Sequence, residues 1–260
     1  MKNKISKDIG IQIKELYDDK IPSTKIASLF NLNSSSIRDF LRRNNIKLRR
    51  QSEAQRKYKI NEKYFDKINT QNKAYILGLL FADGCNYSKK SHVSLTLHDK
   101  DKKLLKKISK ILQTNKPLRK VNNACALIIE NKHISEQLNK LGMVPRKSLI
   151  LNFPDCIHPK FYNHFIRGYF DGDGSIYFDG QIWRFSIIST EQFCNSIRKI
   201  FDQLNVKTYF YSAHKNNKNT FVLAMGKRKD ILKVLDWLYD DAKICMERKY
   251  NNYLKLKGGI

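Results

Sequence analysis

Two aspartates, Asp83 and Asp173, end two copies of one short sequence pattern. The first copy, residues 76–84, reads ILGLLFADG, and the second, residues 166–174, reads IRGYFDGDG. Carboxylate oxygens are ligands that Mg²⁺ prefers, and carboxylates that hold Mg²⁺ serve phosphoryl chemistry. The two aspartates are therefore candidate metal ligands, and the chemistry they indicate is cleavage of a phosphate ester.

Each copy is an apolar run that predicts a helix, and the two helices have a matching face. Small residues stand four positions apart in both copies, as Gly78 with Ala82 and Gly168 with Gly172. Residues at this spacing share one face, where small side chains let two backbones approach closely. If the helices pack in parallel, both aspartates meet at one end, where like charge and the helix dipole disfavour them and a cation would stabilise them. Gly84 and Gly174, which follow the aspartates, predict a left-handed turn at the end of each helix.

The doubled pattern resembles the LAGLIDADG homing endonucleases, whose name spells the motif. The resemblance covers roughly residues 60–257. It implies that Asp83 and Asp173 hold the metal ions, generally Mg²⁺, and that the backbone carbonyls of Ala82 and Gly172 help. Phe81 stands where the second copy has Asp171, at a position that the family does not need for metal binding.

An Arg-Lys pair recurs in register, shortly after a predicted helix near the end of each half. The lysines are Lys147 and Lys249. The resemblance implies a lysine here near the reacting phosphate, where it would order the attacking water or stabilise the developing charge. The family often has a further polar residue where the second strand meets its helix, which falls near Asp101 and Thr190.

Other motifs fit less well. Asp171–Ser175 could begin a calcium loop, but that loop needs Gly at its sixth place and Glu at its twelfth, where this chain has Ile176 and Ile182. His158 and His164 flank Asn163 without the ligand spacing of a His-Asn-His nuclease. We interpret both as surface or linker histidines.

The charge balance indicates a polyanionic partner. The 260 residues include 50 Lys and Arg against 24 Asp and Glu, a formal net charge of +26. Nucleic acid is the first choice, which the resemblance narrows to double-stranded DNA, and a membrane is disfavoured because the chain has no long apolar segment. The amino-terminal residues lack the apolar core of a targeting signal. Five scattered cysteines favour reduced thiols, so we expect the cytoplasm of a bacterial or phage-infected cell, or an organellar matrix.

Strand and helix signals follow each motif in the same order, and Asp179-Gly180 predicts a two-residue hairpin turn. Each half reads helix–strand–strand–helix–strand–strand–helix. The predicted fold class is α+β, with two αββαββα repeats that pair about a pseudo-twofold axis and a saddle of antiparallel sheets. We place repeat 1 at residues 73–155, repeat 2 at 156–260 and a linker at 51–72.

Residues 1–50 predict a small helical domain with a helix-turn-helix, whose third helix has a Ser- and Arg-rich polar face. A three-helix cap without DNA contacts is the alternative. The candidate DNA-binding residues of this helix are Ser35, Ser36, Arg38, Arg42 and Arg43, and the basic residues Lys47, Arg49 and Arg50 follow. On the sheets the candidates are Tyr87, Lys89, His92, Ser94 and Thr96 in repeat 1, and Tyr177, Arg184, Ser186, Lys207, Tyr209 and Tyr211 in repeat 2.

Taken with the resemblance, these features predict a monomeric, Mg²⁺-dependent endonuclease. It would cut both strands of a long DNA site, leave 3′ overhangs and serve a mobile intron or a free-standing selfish gene. Two rivals remain: a non-catalytic binder such as an RNA maturase or regulator, and a transcription factor that uses only the helix-turn-helix. Two clashing carboxylates speak against the non-catalytic binder, which does not need them. The transcription factor would leave about 200 further residues unexplained.

Overall fold

The structure is a computed structural model that describes residues 5–19, 21–48, 58–213 and 219–258. The chain forms two compact units, residues 1–59 and residues 60–260. Arg49, Arg50 and the first part of the predicted linker, residues 51–57, lie outside the described residues. Tyr64 and Phe65, within the second part of that linker, are buried in the core of the second unit.

The first unit contains three helices around a small core of its own. They are α1 (Lys7–Asp18), α2 (Ser23–Leu29) and α3 (Ser34–Arg43). The core contains Ile13, Tyr17, Ile26, Ala27, Ile37 and Leu41. Between α2 and α3 the chain turns through Asn31, whose φ of 51° is left-handed. The α3 positions that do not face this core are polar, as the helical period predicts.

The second unit repeats one topology twice. The first half contains α4 (Gln71–Asp83), β1 (Gly84–Tyr87), β2 (His92–His98), α5 (Lys102–Ile111), β3 (Arg119–Val121), β4 (Ala124–Glu130) and α6 (Lys132–Lys140). The second contains α7 (Tyr162–Asp173), β5 (Gly174–Phe178), β6 (Trp183–Ser189), α8 (Glu191–Gln203), β7 (Tyr209–Ser212), β8 (Phe221–Met225) and α9 (Arg228–Tyr239). The sheets are antiparallel, with strand orders β1-β2-β4-β3 and β5-β6-β8-β7. The predicted α+β class and the doubled αββαββα order are confirmed.

The halves differ after their last repeated helix. The second half continues into α10 (Glu247–Lys257), which the sequence patterns did not predict. In the first half, the corresponding segment is a short 3₁₀ turn at Lys147–Leu149. Among the residues that the structure describes, no helix is long and apolar enough to cross a membrane.

The two motif helices, α4 and α7, pack side by side through their glycines. A Cβ atom on Gly78 would lie 2.0 Å from the Phe165 carbonyl oxygen, and one on Gly168 would lie 2.0 Å from the Tyr75 carbonyl oxygen. The two contacts are equivalent, as expected for helices related by a pseudo-twofold axis. Only glycine, which has no side chain, allows them. The predicted parallel packing is therefore confirmed.

Two local predictions were wrong. Gly84 and Gly174 are extended, with φ of −82° and −87°, rather than left-handed. They are glycines because of crowding: a Cβ would lie 2.5 Å from the Leu80 carbonyl oxygen at Gly84 and 2.6 Å from that of Phe170 at Gly174. The β5–β6 hairpin exists, but its central residues are Gly180 and Gln181, since the Asp179 amide donates to the Ile182 carbonyl oxygen at 3.1 Å.

Candidate active site

Asp83 and Asp173 lie side by side at the carboxyl ends of the motif helices, where β1 and β5 begin. The helices are so close there that a Cβ on Gly172 would lie 3.0 Å from Asp83 Oδ2. Both side chains remain accessible to solvent. Enclosure by the helix ends, and then the charge of Asp173, raise the pKa of Asp83 to about 6. Burial also raises the pKa of Asp173. The two carboxylates thus repel each other in a partly enclosed place, and a bound cation would relieve this repulsion.

The two aspartates have different neighbours. The Tyr169 hydroxyl hydrogen-bonds to Asp173, which opposes the rise in the pKa of this carboxyl group. The Tyr169 oxygen also lies 2.9 Å from the Ser189 hydroxyl, which can donate its own hydrogen to Tyr169. Leu79 holds the corresponding place beside Asp83, one residue after the motif glycine, and has no hydroxyl. Asp83 therefore lacks the hydroxyl donor that stabilises the charged form of its partner.

Lys147 and Lys249 are both buried, with 8% and 3% of their surface exposed. Lys147 Nζ donates to the Ala82 carbonyl oxygen at 2.8 Å. Lys249 Nζ donates to three carbonyls, those of Phe170, Gly172 at 3.4 Å and Gly174 at 2.6 Å. Each lysine therefore reaches the carbonyl that directly precedes a motif aspartate.

Burial lowers the pKa of both lysines, that of Lys249 to about 8. The carboxylate that most strongly opposes this shift at Lys147 is Asp173, from the other half. Among the basic groups that lower the pKa of Asp83, Lys249 acts most strongly. The lysines and aspartates thus interact across the interface between the halves as well as within them.

The donor set fits Mg²⁺. Mg²⁺ keeps several waters and is commonly held by one or two carboxylates together with substrate phosphates. Asp83 and Asp173 supply those carboxylates. The Ala82 and Gly172 carbonyls already accept from lysine, but each carbonyl oxygen has a second lone pair. Within the described ranges, no cluster of three or more His, Cys, Asp or Glu side chains is placed to hold a metal.

A buried polar network lies behind the second lysine, and sequence reasoning missed it. Asp171 is fully buried and accepts from the Tyr75 hydroxyl at 2.6 Å and from the Met246 amide at 2.7 Å. Met246 is the N-cap residue of α10, which carries Lys249. Arg167, also fully buried, donates to the Leu238 carbonyl at 2.7 Å. The sequence signal that could have revealed this network is an Arg and an Asp four positions apart in an otherwise apolar helix.

His164 belongs to the same network, so its interpretation as a surface or linker histidine was wrong. Its Nδ1 lies 2.8 Å from Arg167 Nη1. Burial, and then the Arg167 charge, lower the pKa of His164 to about 4. His158 is exposed, and its side chain accepts from the Lys160 amide at the start of a short 3₁₀ turn.

The first half holds its lysine segment differently. Phe81, the counterpart of Asp171, is buried against the Phe165 ring at 5.4 Å between centroids. The Asn86 side-chain amide donates instead to the carbonyls of Ser135 and Met143, both at 3.0 Å, shortly before Lys147.

The two polar residues at the strand–helix junctions, Asp101 and Thr190, make structural bonds. Asp101 forms an ion pair with Arg248 at 3.1 Å, and Thr190 caps α8.

A comparison with protein families matches most of the second repeat. Residues 160–237, which run from just before α7 into α9, match the model of the LAGLIDADG-like domain. The chain carries a LAGLIDADG-like domain. No curated protein matches the chain by sequence.

Solved structures share the LAGLIDADG fold over most of their length. Meganuclease I-SmaMI bound to uncleavable DNA matches at a TM-score of 0.53 and 15% identity, over 74% of this chain and 88% of that one. The LAGLIDADG homing endonuclease I-GzeII, in complex with its DNA target, matches at a TM-score of 0.51 and 15% identity, over 77% of this chain and 89% of that one. At this identity the comparison shows the fold.

Most of the sheet candidates lie on the faces of the LAGLIDADG sheets that point away from the core. The register pairs Tyr87 with His92 and Tyr177 with Arg184. Ser94, Thr96, Ser186, Tyr209 and Tyr211 lie on the same two faces, and Lys207 just precedes β7. Lys89 differs, since it lies in the 3₁₀ turn between β1 and β2. Arg119 on β3 is exposed and was missed, because a three-residue strand has too little alternation to reveal a face.

In the first unit, the predicted residues of α3 are exposed, apart from Ser36, which is half-buried. Arg42 forms an ion pair with Asp39 at 2.9 Å, and Arg38 Nε donates to the Ser34 carbonyl at 3.2 Å. Arg43 and Lys47 extend the basic surface and are also exposed.

Proposed function

We propose that the chain is a site-specific DNA endonuclease that uses Mg²⁺ to cut both strands of a long site and leaves 3′ overhangs, as a homing enzyme does. The observation that carries the proposal is the pair of adjacent carboxylates at the ends of the glycine-packed helices. Each carboxylate serves one scissile phosphate, and the bound metal supplies charge neutralisation and an activated water. Both come from one chain, so a monomer suffices.

The spacing of the carboxylates selects one groove of the duplex. The minor groove of B-DNA is about 6 Å wide and the major groove about 12 Å. Two adjacent carboxylates can approach phosphates of both strands only across the narrower groove. Phosphates that face each other there are staggered along the strands, which is the source of the 3′ overhangs. The outward faces of the two sheets then follow the major groove on either side.

The charge and its placement support a nucleic-acid partner. The formal net charge is +26, and basic, hydroxyl and aromatic side chains occupy the two outward sheet faces. Such side chains bind phosphates and base edges. A cytoplasmic or organellar location is part of the proposal, since that is where the DNA target lies.

The test is cleavage of the uninterrupted form of the chain's own locus. We expect the protein with Mg²⁺ to linearise a plasmid that carries this sequence, and to leave it intact in EDTA. End sequencing would reveal the overhangs. If intron RNA is bound and folded while no DNA is cut, the chain is a maturase and the proposal is wrong.

Replacing either active-site lysine by alanine is expected to slow cleavage and to make the cutting of the two strands unequal. The loss of one preorganised cation beside the reacting phosphate costs about a hundredfold or more. Lys147→Ala and Lys249→Ala should each cause nicked plasmid to accumulate, because each lysine belongs to one half. Lys199→Ala, at an exposed position on α8, is the control. Equal slowing of both strands by one substitution would contradict this division of labour.

Removing residues 1–50 is expected to weaken DNA binding and spare the chemistry. The exposed residues Arg38, Arg42 and Arg43 on α3 would bind phosphates. For each phosphate that is no longer bound, the slope of log affinity against log salt falls by about 0.9. Footprinting should show one flank of the site unprotected. At saturating protein, the cut positions should be unchanged. If footprint and salt slope both stay the same, the three helices form only a structural cap.

A further inference from the structure

Two large apolar side chains project into solvent beside the candidate active site. Leu149 and Ile150 have 59% and 61% of their surface exposed. They follow directly after Lys147 and Ser148, which line a cavity together with Asp173. Single exposed apolar residues are ordinary on protein surfaces. An adjacent pair beside a highly charged site is different, because polar residues there would cost nothing in packing.

The segment that carries this pair is anchored on both sides. Lys147 before it and Leu151 after it are buried, the latter to 3% exposure. The Ile150 amide donates to the Lys147 carbonyl at 3.0 Å, which closes the 3₁₀ turn. Thr190, at the start of α8, donates its hydroxyl hydrogen to the Leu151 carbonyl oxygen. Leu149 and Ile150 are therefore presented on a fixed turn.

The second half holds the same turn from its sheet side. The Asn219 side-chain amide donates to the Leu149 carbonyl, and its Oδ1 accepts from the Glu191 amide at 3.4 Å. A cavity of about 330 Å³ lies between the turn and the second sheet. Its lining includes Lys147, Ser148, Leu151, Asp173, Ser189 and Thr220. The apolar pair thus stands at the edge of the space where one scissile phosphate would lie.

We propose that Leu149 and Ile150 form an apolar wedge that enters the minor groove at the centre of the DNA site and unstacks one base step. The inference rests on the proposed function, since that places the minor groove over the carboxylates. Leu and Ile inserted between base pairs from this groove kink the duplex. Such a kink bends the duplex toward the major groove, away from the turn that carries the pair. The wedge also favours pyrimidine–purine steps, because these are flexible and unstack easily. The protein would thereby select a sequence without contacting base edges.

The wedge is one-sided. In the second half, the residues that follow Lys249 are Tyr250, Asn251 and Asn252, within α10. There the Asn252 amide donates inward to the Ile176 carbonyl at 2.9 Å. The disturbed base step should therefore lie to one side of the centre, nearer the strand whose phosphate faces Asp173.

The experiment compares the wild type with the double variant Leu149→Ser/Ile150→Ser, in which two exposed positions become polar. Leu254→Ser, at another exposed leucine of the same unit (37%), is the control. The probes are duplexes that the wild type selects from random-sequence DNA in Ca²⁺, with 2-aminopurine replacing each adenine in turn at the centre of the footprint. Selection is then repeated with the double variant.

We expect the wild type and Leu254→Ser to raise the fluorescence of one central 2-aminopurine about fivefold, because an unstacked base is no longer quenched. The double variant should bind the probes without producing this rise. Sites selected by the wild type should carry a central TA or CA step about tenfold more often than those selected by the double variant.

A wild type that cuts its locus without any fluorescence rise would overturn the wedge and leave the nuclease standing. So would a rise that the double variant retains. A rise that depends on Leu149 and Ile150, in a protein that never cuts, would support the wedge and refute the nuclease. Failure to select any DNA would overturn both.

Discussion

Substituting Asp83 or Asp173 by asparagine is expected to abolish double-strand cleavage and leave DNA binding intact or slightly stronger. The amide keeps the shape of the carboxylate, but it is a poor ligand for Mg²⁺ and carries no charge to repel the DNA phosphates. A bound metal lowers the barrier by several kcal/mol, so the cutting rate should fall by about a thousandfold or more. Plasmid linearisation in Mg²⁺ and gel-shift binding in EDTA measure the two effects.

The pH dependence of binding adds a signature that a merely structural role would not produce. The pKa of Asp83 is raised to about 6, so this carboxyl group gains a proton as the pH falls through that value. In metal-free buffer, the wild type should then bind DNA more tightly, since one negative charge that faces the phosphates is removed. Asp83→Asn should weaken this dependence, leaving only the contribution of Asp173, whose pKa is also raised, and Asp202→Asn, at an exposed position of α8, should keep it in full. A wild-type cleavage rate in either active-site variant would refute the site.

Replacing Gly78 or Gly168 by alanine is expected to destabilise the second unit severely. The added Cβ would lie 2.0 Å from a backbone carbonyl oxygen of the facing helix, and a backbone in a packed helix pair cannot give way as a flexible side chain can. Overpacking typically costs about 1–3 kcal/mol, and we expect about 3 kcal/mol or more here. Because the aspartates are at the ends of these helices, cleavage should fall as well.

Urea unfolding followed by tryptophan fluorescence measures this effect in the second unit alone, since both tryptophans, Trp183 and Trp237, lie there. Gly226→Ala is the matched control, because a Cβ at that position would meet nothing closer than Ile182 Cδ1 at 4.0 Å. A midpoint for Gly168→Ala equal to that of Gly226→Ala would mean that the helices can separate freely, against the packing described.

The fold could be predicted from the sequence largely because the pattern occurs twice. One glycine with a small residue four places later is common, but Gly78 and Gly168 in matching runs indicate one close interface. The helical and strand periods then gave the order of elements. The conformation of Gly84 and Gly174 could not be predicted, because it depends on what the missing Cβ would touch: the Leu80 carbonyl in one half and the Phe170 ring in the other.

The candidate site could likewise be predicted from the sequence only in part. Lys147 and Lys249 could be proposed because their register is repeated. The network of Asp171, Arg167 and Tyr75 could not, because it depends on contacts between residues from distant parts of the chain. Its donors and acceptors pair Tyr75 with Asp171 across the helix interface and Arg167 with the end of α9. Burying such charged and polar side chains without partners would cost too much free energy, and only the tertiary structure shows the partners.

The Tyr75–Asp171 hydrogen bond has a consequence for the ancestry and engineering of the protein. Tyr75 stands three residues before the glycine of its helix, and Phe165 stands at the same place in the other. A homodimer of second halves would face each Asp171 with phenylalanine, and one of first halves would face each Tyr75 hydroxyl with Phe81. The first dimer would take the hydroxyl donor from a buried carboxylate, and the second would bury a hydroxyl without its acceptor. The halves have therefore ceased to be interchangeable, and a chimera that exchanges one half must carry the partner of position 75 or 171 with it.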